Sequence, residues 1–241
     1  MKKMFLTFTL MLLALTANAQ SCPDGNHPHL INLGLPSGTK WACCNVDDDA
    51  SNQSPTNYGS YYAWGEVNGK SVYNDVTYPY ATGLDEDGDG FYDDWHDDTR
   101  VSGIWQNLGN CKGEDESGES IYDITGTKYD VAHVHWGGSW VMPSLEQIME
   151  LVDNCKYEWT TVNGVDGARF IGPNSHSIFL PAARYRWDVN LDDLDSSGYY
   201  WSSTQNPLIS DNAYYLGFGS GYVDGYVTRR YAGQSVRPVA R

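Results

Sequence analysis

A run of acidic residues that begins at Asp85 has the spacing of a calcium-binding loop. Carboxylates stand at positions one, three, five and nine, and Gly90 stands at position six, where such loops turn sharply. The oxygen donors would be the side chains of Asp85, Asp87, Asp89 and Asp93 and the backbone carbonyl of Phe91. Position twelve is His96, where calcium loops have Asp or Glu. The spacing predicts a structural calcium ion, and the alternative is a solvated acidic loop without a metal.

His133 and His135 form a second candidate metal site, because alternate residues of a strand lie on the same side of it. Two neighbouring imidazoles suit a divalent metal, but a zinc site needs further ligands. No third ligand is evident nearby in the sequence, so a polar pair beside Trp136 is the competing interpretation.

The sequence holds none of the common catalytic motifs. It has no Gly-x-Ser-x-Gly turn, no His-Glu-x-x-His pair and no glycine-rich loop that ends in Lys. Glu66 and the carboxylates of residues 188–195 could pair as acid and base, but carboxylates are so numerous that their spacing decides nothing. We therefore expect a protein without catalytic activity.

Tyrosines near the C-terminus are the candidate ligand contacts. In the stretches 214–218 and 222–226, strand alternation would send about half of the Tyr, Asp and Asn side chains outward. Tyrosine offers a large amphipathic contact area at little cost in conformational entropy, which suits recognition of a glycan or a protein. The predicted ligand-binding residues are Tyr214, Tyr222, Asp224, Tyr226, Arg229, Arg230 and Tyr231. The competing interpretation is that these aromatic residues fill the core.

The sequence predicts one clear helix. Ser144 and Gln147 form a capping box, and an apolar stripe follows at helical spacing, so a helix is predicted from Ser144 to Asn154. Arg237, inside the closing Gly-Gln-Ser-Val-Arg-Pro run, is expected to hold a buried ion pair or to contact a backbone carbonyl.

Outside this helix, the sequence mostly predicts short strands. Alternating residues predict an opening hairpin between residues 30 and 46, and the Asn163-Gly164 pair predicts another tight hairpin. Further strands are expected at 168–171 and 177–180, and four strands are expected after Gly198.

The chain is expected to be exported. Residues 1–19 combine two lysines, a short apolar run and an Ala-Asn-Ala ending, which are the parts of a secretory signal peptide. A short leader at 20–29 and a single domain at 30–241 would follow, with an acidic insertion without a core at about 68–120. No later apolar run is long enough to span a bilayer as a helix. The expected location is the periplasm, the outer cell surface or the medium.

The net charge and the cysteine content limit which binding partners and which disulfides are expected. The formal net charge is −16, so nucleic acids are poor partners, because they bind to basic surfaces. The five cysteines are an odd number for an exported protein. Cys44 and Cys155 both flank apolar segments that should share one core, so we expect a disulfide between them.

Seven runs of the sequence resemble the Fibrobacter succinogenes major paralogous domain family, which is abundant in Bacteroidetes. A more distant resemblance is to the C-terminal domains of Legionella collagen-like proteins. Together the runs are spread along nearly the whole chain after residue 30 outside the insertion. They are Leu33–Ala42, Tyr58–Glu66, Trp136–Pro143, Gly172–Asn174, Ile178–Ala183, Tyr199–Thr204 and Ser235–Pro238.

Those families look like relatives of formylglycine-generating enzymes and of C-type lectins. The resemblance implies a C-type-lectin-like α+β fold with mostly short antiparallel strands, one or two helices, and N- and C-terminal strands that pair. Formylglycine-generating enzymes depend on a cysteine pair late in the domain, whereas the last cysteine here is Cys155. Calcium-dependent lectins use Glu-Pro-Asn or Gln-Pro-Asp together with Trp-Asn-Asp, whereas this chain has Gly172-Pro-Asn174 and no Trp-Asn-Asp.

These observations together predict an exported, non-catalytic binding or adhesion module. It would recognise a glycan or protein ligand at a cell surface through its C-terminal strands and loops. One alternative is an enzyme related to formylglycine-generating enzymes with altered chemistry, and another is a structural subunit of a surface assembly. The sequence does not indicate an oligomeric state.

Calcium titration of the full chain tests the acidic loop. We expect binding with a Kd of roughly micromolar to millimolar and a melting temperature that falls when a chelator is added. Asp87→Asn with Asp89→Asn should abolish the calorimetric signal, because these substitutions remove two of the anionic ligands. Absence of calcium heat in the unsubstituted protein, with melting unchanged by chelator, would show that the loop holds no metal.

Overall fold

The computed structural model describes residues 28–83, 88, 104–192 and 197–240. Antiparallel strands dominate this part of the chain and two short α-helices accompany them, so the predicted α+β class is confirmed. The helices are α1 (Val131–Trp136) and α2 (Leu145–Asn154), and a 3₁₀ turn covers Ala50–Asn52. The strands are β1 (Leu30–Asn32), β2 (Lys40–Ala42), β3 (Ala81–Thr82), β4 (Ile104–Trp105), β5 (Asn110–Glu114), β6 (Ser120–Asp123), β7 (Lys156–Val162), β8 (Val165–Ile171), β9 (Ser177–Pro181), β10 (Tyr185–Trp187), β11 (Asn190–Asp192), β12 (Gly198–Gln205), β13 (Asn212–Gly219), β14 (Tyr222–Arg229) and β15 (Val239–Ala240).

The two ends of the described chain meet in one sheet. Strand β2 lies between β1 and β15, and both pairings are antiparallel. Val239 is the register partner of Trp41, and Val239 also exchanges backbone hydrogen bonds with Val141. The predicted opening hairpin and the predicted pairing of N- and C-terminal strands are therefore confirmed.

The largest sheet contains five strands in the order β14-β13-β12-β6-β5. Helix α2 contacts β12, β13 and β14 on one face of this sheet. Gly225 of β14 lies against this helix: a Cβ atom there would sit 3.0 Å from Met149 Sδ and 3.3 Å from Leu145 Cδ1. The opposite face of β12–β14 is thereby left for other contacts.

Local signals in the sequence fix α2 and the β7–β8 hairpin as predicted. The Ser144 hydroxyl accepts from the Gln147 backbone N–H, and the Gln147 side chain accepts from the Ser144 N–H, so the capping box is present. Ile148 and Leu151 are buried in the main core cluster. Asn163 and Gly164 have φ values of 51° and 81°, which the tight turn between β7 and β8 requires.

The segment predicted to be an insertion without a core contributes a buried aromatic cluster, so that prediction is wrong. Tyr73, Tyr78 and Ala81 are buried with Tyr231, and Trp105 packs against them. Strands β5 and β6 also extend the main sheet. The segment is poor in aliphatic residues, but its tyrosine and tryptophan rings exclude water equally well.

The prediction of a strand at His133 and His135 is also wrong, because both residues lie in α1. The buried carboxylate of Asp130 caps this helix by accepting from the backbone N–H of His133. Residues two apart on a helix point in different directions, so the two imidazoles do not form a pair. His135 Nε2 instead lies 2.7 Å from the carbonyl of Val67.

Two further local predictions need correction. The last of the four strands predicted after Gly198, at residues 235–239, is shorter than expected: only Val239–Ala240 is a strand, and Ser235 makes an isolated bridge to Tyr200. Cys44 and Cys155 share one core cluster as expected, yet no disulfide joins them. Burial, together with the nearby Glu150 carboxylate, raises the pKa of the Cys155 thiol to about 11.

Arg237 is fully buried and connects the closing segment to β2 and to the residues directly after it. Its Nε donates to Asn45 Oδ1 at 2.7 Å, and its Nη1 donates to the Ala42 carbonyl at 3.2 Å. The predicted contact with a backbone carbonyl is therefore present. The predicted alternative, a buried ion pair, is not what these hydrogen bonds form, because the other acceptor is the neutral side-chain amide of Asn45. The guanidinium thus links residues that are far apart in the sequence.

We expect Arg237→Met to lower the free energy of unfolding by about 3 kcal/mol. The methionine fills similar space but leaves the Asn45 amide oxygen and the Ala42 carbonyl without this charged donor. Chemical denaturation measures the change, and Lys156→Met, at an exposed lysine, should stay within about 0.5 kcal/mol. A more stable Arg237→Met protein would show that desolvation of the cation outweighs its hydrogen bonds.

Candidate functional site

The outward face of strands β12, β13 and β14 carries a concentration of tyrosine side chains. Register partners in antiparallel strands lie on the same face, and Tyr215 is paired with Tyr226 across β13 and β14. Gly217 is paired with Tyr199 on one side and with Asp224 on the other. These residues therefore share one face, opposite to the face that packs on α2.

Gly217 forms the floor of a groove between the rings. A Cβ atom at this position would lie 2.7 Å from Cδ2 of Tyr226 and 3.1 Å from Cε2 of Tyr215. The groove has a volume of about 310 Å³ and is lined by Tyr199, Tyr215, Gly217, Tyr222 and Tyr226. We call this feature the tyrosine groove. A side chain larger than hydrogen at position 217 would reduce its depth.

The rings of the groove form a continuous series across the sheet. The centroid of Tyr215 lies 5.6 Å from that of Tyr199 and 5.8 Å from that of Tyr226. Tyr222 continues the series, 6.4 Å from Tyr226 and nearly perpendicular to it. Tyr185 of β10 extends it at the other end, 4.9 Å from Tyr199. Such contacts hold each ring in place before any ligand arrives.

The hydroxyl groups add polar contacts to an otherwise apolar surface. Burial raises the pKa of Tyr215 to about 12, and the neighbouring hydroxyls of Tyr222 and Tyr226 act in the same direction. Tyr215 therefore remains a neutral donor at ordinary pH. The Tyr222 hydroxyl donates to Ser197 Oγ at 3.0 Å, which orients its ring. The exposed carboxylate of Asp224 lies on the same face and can accept from a ligand hydroxyl or amide.

Three of the predicted ligand residues meet on this face. Tyr222, Asp224 and Tyr226 are exposed and alternate outward along β14, as the sequence pattern indicated. Tyr214 is half-buried and lies on the opposite face, because it is the neighbour of Tyr215 in the same strand. Arg229 forms an ion pair with Asp211 and is half-buried.

Arg230 and Tyr231 are buried, so their prediction as ligand contacts is wrong. The guanidinium of Arg230 lies over the ring of Trp64 at 4.8 Å and donates to the Tyr78 hydroxyl at 3.0 Å. It also donates to the carbonyls of Gln106 and Ser210. Strand β14 ends at Arg229, so the alternation that sends side chains outward does not extend to these two residues.

Sequence reasoning missed Tyr199, Tyr215 and Gly217, which complete the groove. Tyr199 and Tyr215 each have a tyrosine or tryptophan beside them in the sequence, so composition does not tell which ring faces outward. The strand register settles this, and a register shift by one residue would exchange the two faces. The glycine opposite Asp224 was the available signal, because a small residue among aromatic ones indicates close approach.

A larger polar cleft of about 560 Å³ lies between β6 and the start of α2. Asp123 in its wall accepts from the Ser203 and Thr204 hydroxyls and from the Thr125 backbone N–H. Gln147, also in the wall, is held by Thr39 and Ser144. Since these polar groups satisfy one another, the cleft is less suited to ligands than the tyrosine groove.

The predicted calcium ligands, Asp85, Asp87, Asp89, Phe91 and Asp93, lie outside the described residues. Within the described residues, no group of three or more His, Cys, Asp or Glu side chains is arranged to hold a metal ion. In the same part of the chain, no helix has the length and apolar character needed to cross a membrane.

Comparisons with protein-family models, with curated proteins and with solved structures give no match to this chain.

Alkaline unfolding tests the shielding of Tyr215. A tyrosine with a raised pKa in the folded state gives stability that is fully present below about pH 10 and is lost as the pH rises toward 12. Between pH 9 and pH 11.5, the free energy of unfolding should therefore decrease less in the Tyr215→Phe protein than in the unsubstituted protein. Urea denaturation at about five pH values measures this decrease. Tyr58→Phe, at an exposed tyrosine, is the control. Equal losses in the Tyr215→Phe and unsubstituted proteins would contradict the shielding.

Proposed function

We propose that this protein is an exported, non-catalytic binding or adhesion module whose ligand contacts the tyrosine groove. The observation that carries this proposal is the series of rings packed against one another along a groove on the outward face of the sheet. Tyr222 and Tyr226 keep 43% and 40% of their surfaces exposed although each is a large, partly apolar residue. Exposed aromatic clusters on a rigid sheet are typical of recognition surfaces.

A glycan or a protein segment fits the chemistry of this surface. The apolar face of a pyranose ring or an aromatic side chain can stack on the tyrosines, and the hydroxyls of Tyr215 and Tyr226 can donate or accept. Asp224 adds an acceptor at the edge of the groove. The strongly acidic chain disfavours polyanionic ligands.

We further propose that the fold is C-type-lectin-like and that the acidic loop holds calcium. The paired terminal strands, the α2 helix on one face and the small antiparallel sheets support the first part. The spacing of Asp85, Asp87 and Asp89 supports the second.

A structural subunit of a surface assembly is a second candidate, and one observation favours it. Strand β14 is an edge strand of eight residues in the largest sheet. Among the described residues no strand pairs with its outer edge, and an edge of this length can accept a strand from another chain. Concentration-dependent self-assembly without added ligand, measured by light scattering, would support this function over the first.

Binding to a glycan array and to bacterial or host surface extracts tests the main proposal. Ligands detected with the full chain should bind at least about tenfold more weakly to Tyr222→Ala with Tyr226→Ala, because two stacking contacts are lost. Gly217→Val should also weaken binding, since its side chain would occupy the groove floor.

Tyr58→Ala is the matched control, because Tyr58 is 42% exposed and lies outside the groove. It should bind as the unsubstituted protein does, and melting curves should show that every variant is folded. If ligands are found and the groove variants retain full affinity, the tyrosine groove is not their binding site.

A further inference from the structure

Cys43 and His29 form a paired thiol and imidazole far from the tyrosine groove. The two residues face each other where the β1–β2 pairing continues toward the N-terminus, and the Cys43 backbone N–H donates to the His29 carbonyl at 3.0 Å. Their side chains meet as well, because Cys43 Sγ lies 3.7 Å from His29 Nδ1. The binding function proposed above does not use this pair.

Two donors can point at the sulfur atom. The backbone N–H of His29 donates to Cys43 Sγ at 3.1 Å. A protonated imidazole would donate to the same sulfur from Nδ1. Hydrogen bonds donated to sulfur stabilise the thiolate relative to the thiol, and the thiolate is the reactive form. The arrangement therefore resembles an activated nucleophile beside its proton carrier.

Cys43 also borders a small recess, although it is only 5% exposed. The wall of the recess is mostly apolar, with Arg169 and Ser177 as its polar members. Arg169 places a cationic side chain in the wall of the same recess. The sulfur thus lies beside a space with access to small molecules.

The size of the recess limits what can reach the thiol. Its volume of about 30 Å³ is enough for one or two water molecules by the usual measure of such cavities. Hydrogen peroxide is only slightly larger than water. Aromatic reagents and peptide thiols are many times larger and would be excluded. The geometry therefore selects for small oxidants.

We propose that Cys43 is an oxidation site for hydrogen peroxide, with His29 as the proton donor. The thiolate sulfur attacks one peroxide oxygen, an S–O bond forms, and the O–O bond breaks. The leaving hydroxide takes the proton from His29 Nδ1 and departs as water. The sulfur becomes a sulfenic acid by loss of two electrons, and the peroxide is reduced. The small recess protects this product from attack by external thiols.

Competing reagents on the full-length protein test this site. One sample is treated with hydrogen peroxide, quenched with catalase and unfolded in the presence of dimedone, which labels sulfenic acids; another is treated with a bulky aromatic disulfide. Peptide mass spectrometry then gives the rate at each cysteine, and fragment ions separate Cys43 from Cys44. Cys111, whose side chain is exposed, is the internal reference.

We expect the order of reactivity to reverse between the two reagents. Cys43 should react faster than Cys111 with hydrogen peroxide and slower than Cys111 with the aromatic disulfide. If Cys111 reacts faster with both reagents, Cys43 is an ordinary buried thiol and the proposal is wrong. This comparison needs no substituted protein, so a folding defect in a variant cannot obscure it.

Two variants test the pairing with His29. Cys43→Ser should remove the sulfenic acid signal at this position, which verifies the assignment. His29→Gln keeps both backbone hydrogen bonds and should slow oxidation of Cys43 at least about tenfold, without changing the rate at Cys111. An unchanged rate at Cys43 in a folded His29→Gln protein would show that the imidazole has no part in the reaction.

Discussion

The structure depends on the antiparallel pairing of β15 with β2, which closes the chain on itself. Two residues of β15 make this contact directly, and the Val239–Val141 bridge connects the same strand to the segment that leads into α2. The pairing is short, so it relies on side chains for support. The buried Arg237 provides that support through Asn45 and the Ala42 carbonyl. Backbone hydrogen bonds from Ala42 to the Pro238 carbonyl and from Val46 to the Val236 carbonyl extend the contact, and the charged donor adds to them.

This closure determines which face of the largest sheet is open. The β15–β2 sheet and α2 belong to the same core as the inner residues of β12 and β13. The inner face of β12–β14 is therefore covered, and the period of two along each strand sends Tyr199, Tyr215 and Tyr226 to the outer face. The tyrosine groove is in this sense a product of the same packing that makes the core.

Sequence reasoning succeeded where local chemistry decides the structure. The capping box at Ser144 and the Asn163-Gly164 turn were readable because they depend on a few adjacent residues. It failed where contacts between distant residues decide. The aromatic cluster of Tyr73, Tyr78 and Tyr231 joins distant segments, and no local pattern marks it.

The same distinction between local signals and contacts of distant residues applies to the candidate site. Tyr222, Asp224 and Tyr226 were predictable from alternation in one strand. Their partners across the sheet were not, because register is set by tertiary packing. His29 was missed beside Cys43 for a similar reason: fourteen residues separate them, and the hairpin brings them together.

The placement of the groove on alternate residues has an evolutionary consequence. Positions 222, 224 and 226 of β14 face solvent, while Gly225 between them lies against α2. An exchange of side chains at the outward positions changes the surface chemistry and leaves the contacts between Gly225 and α2 as they are. Substitutions at these positions would therefore leave the packing of β14 on α2 in place. Under the binding function proposed above, such a scaffold could acquire new targets by drift at a few sites, without a compensating change beneath β14.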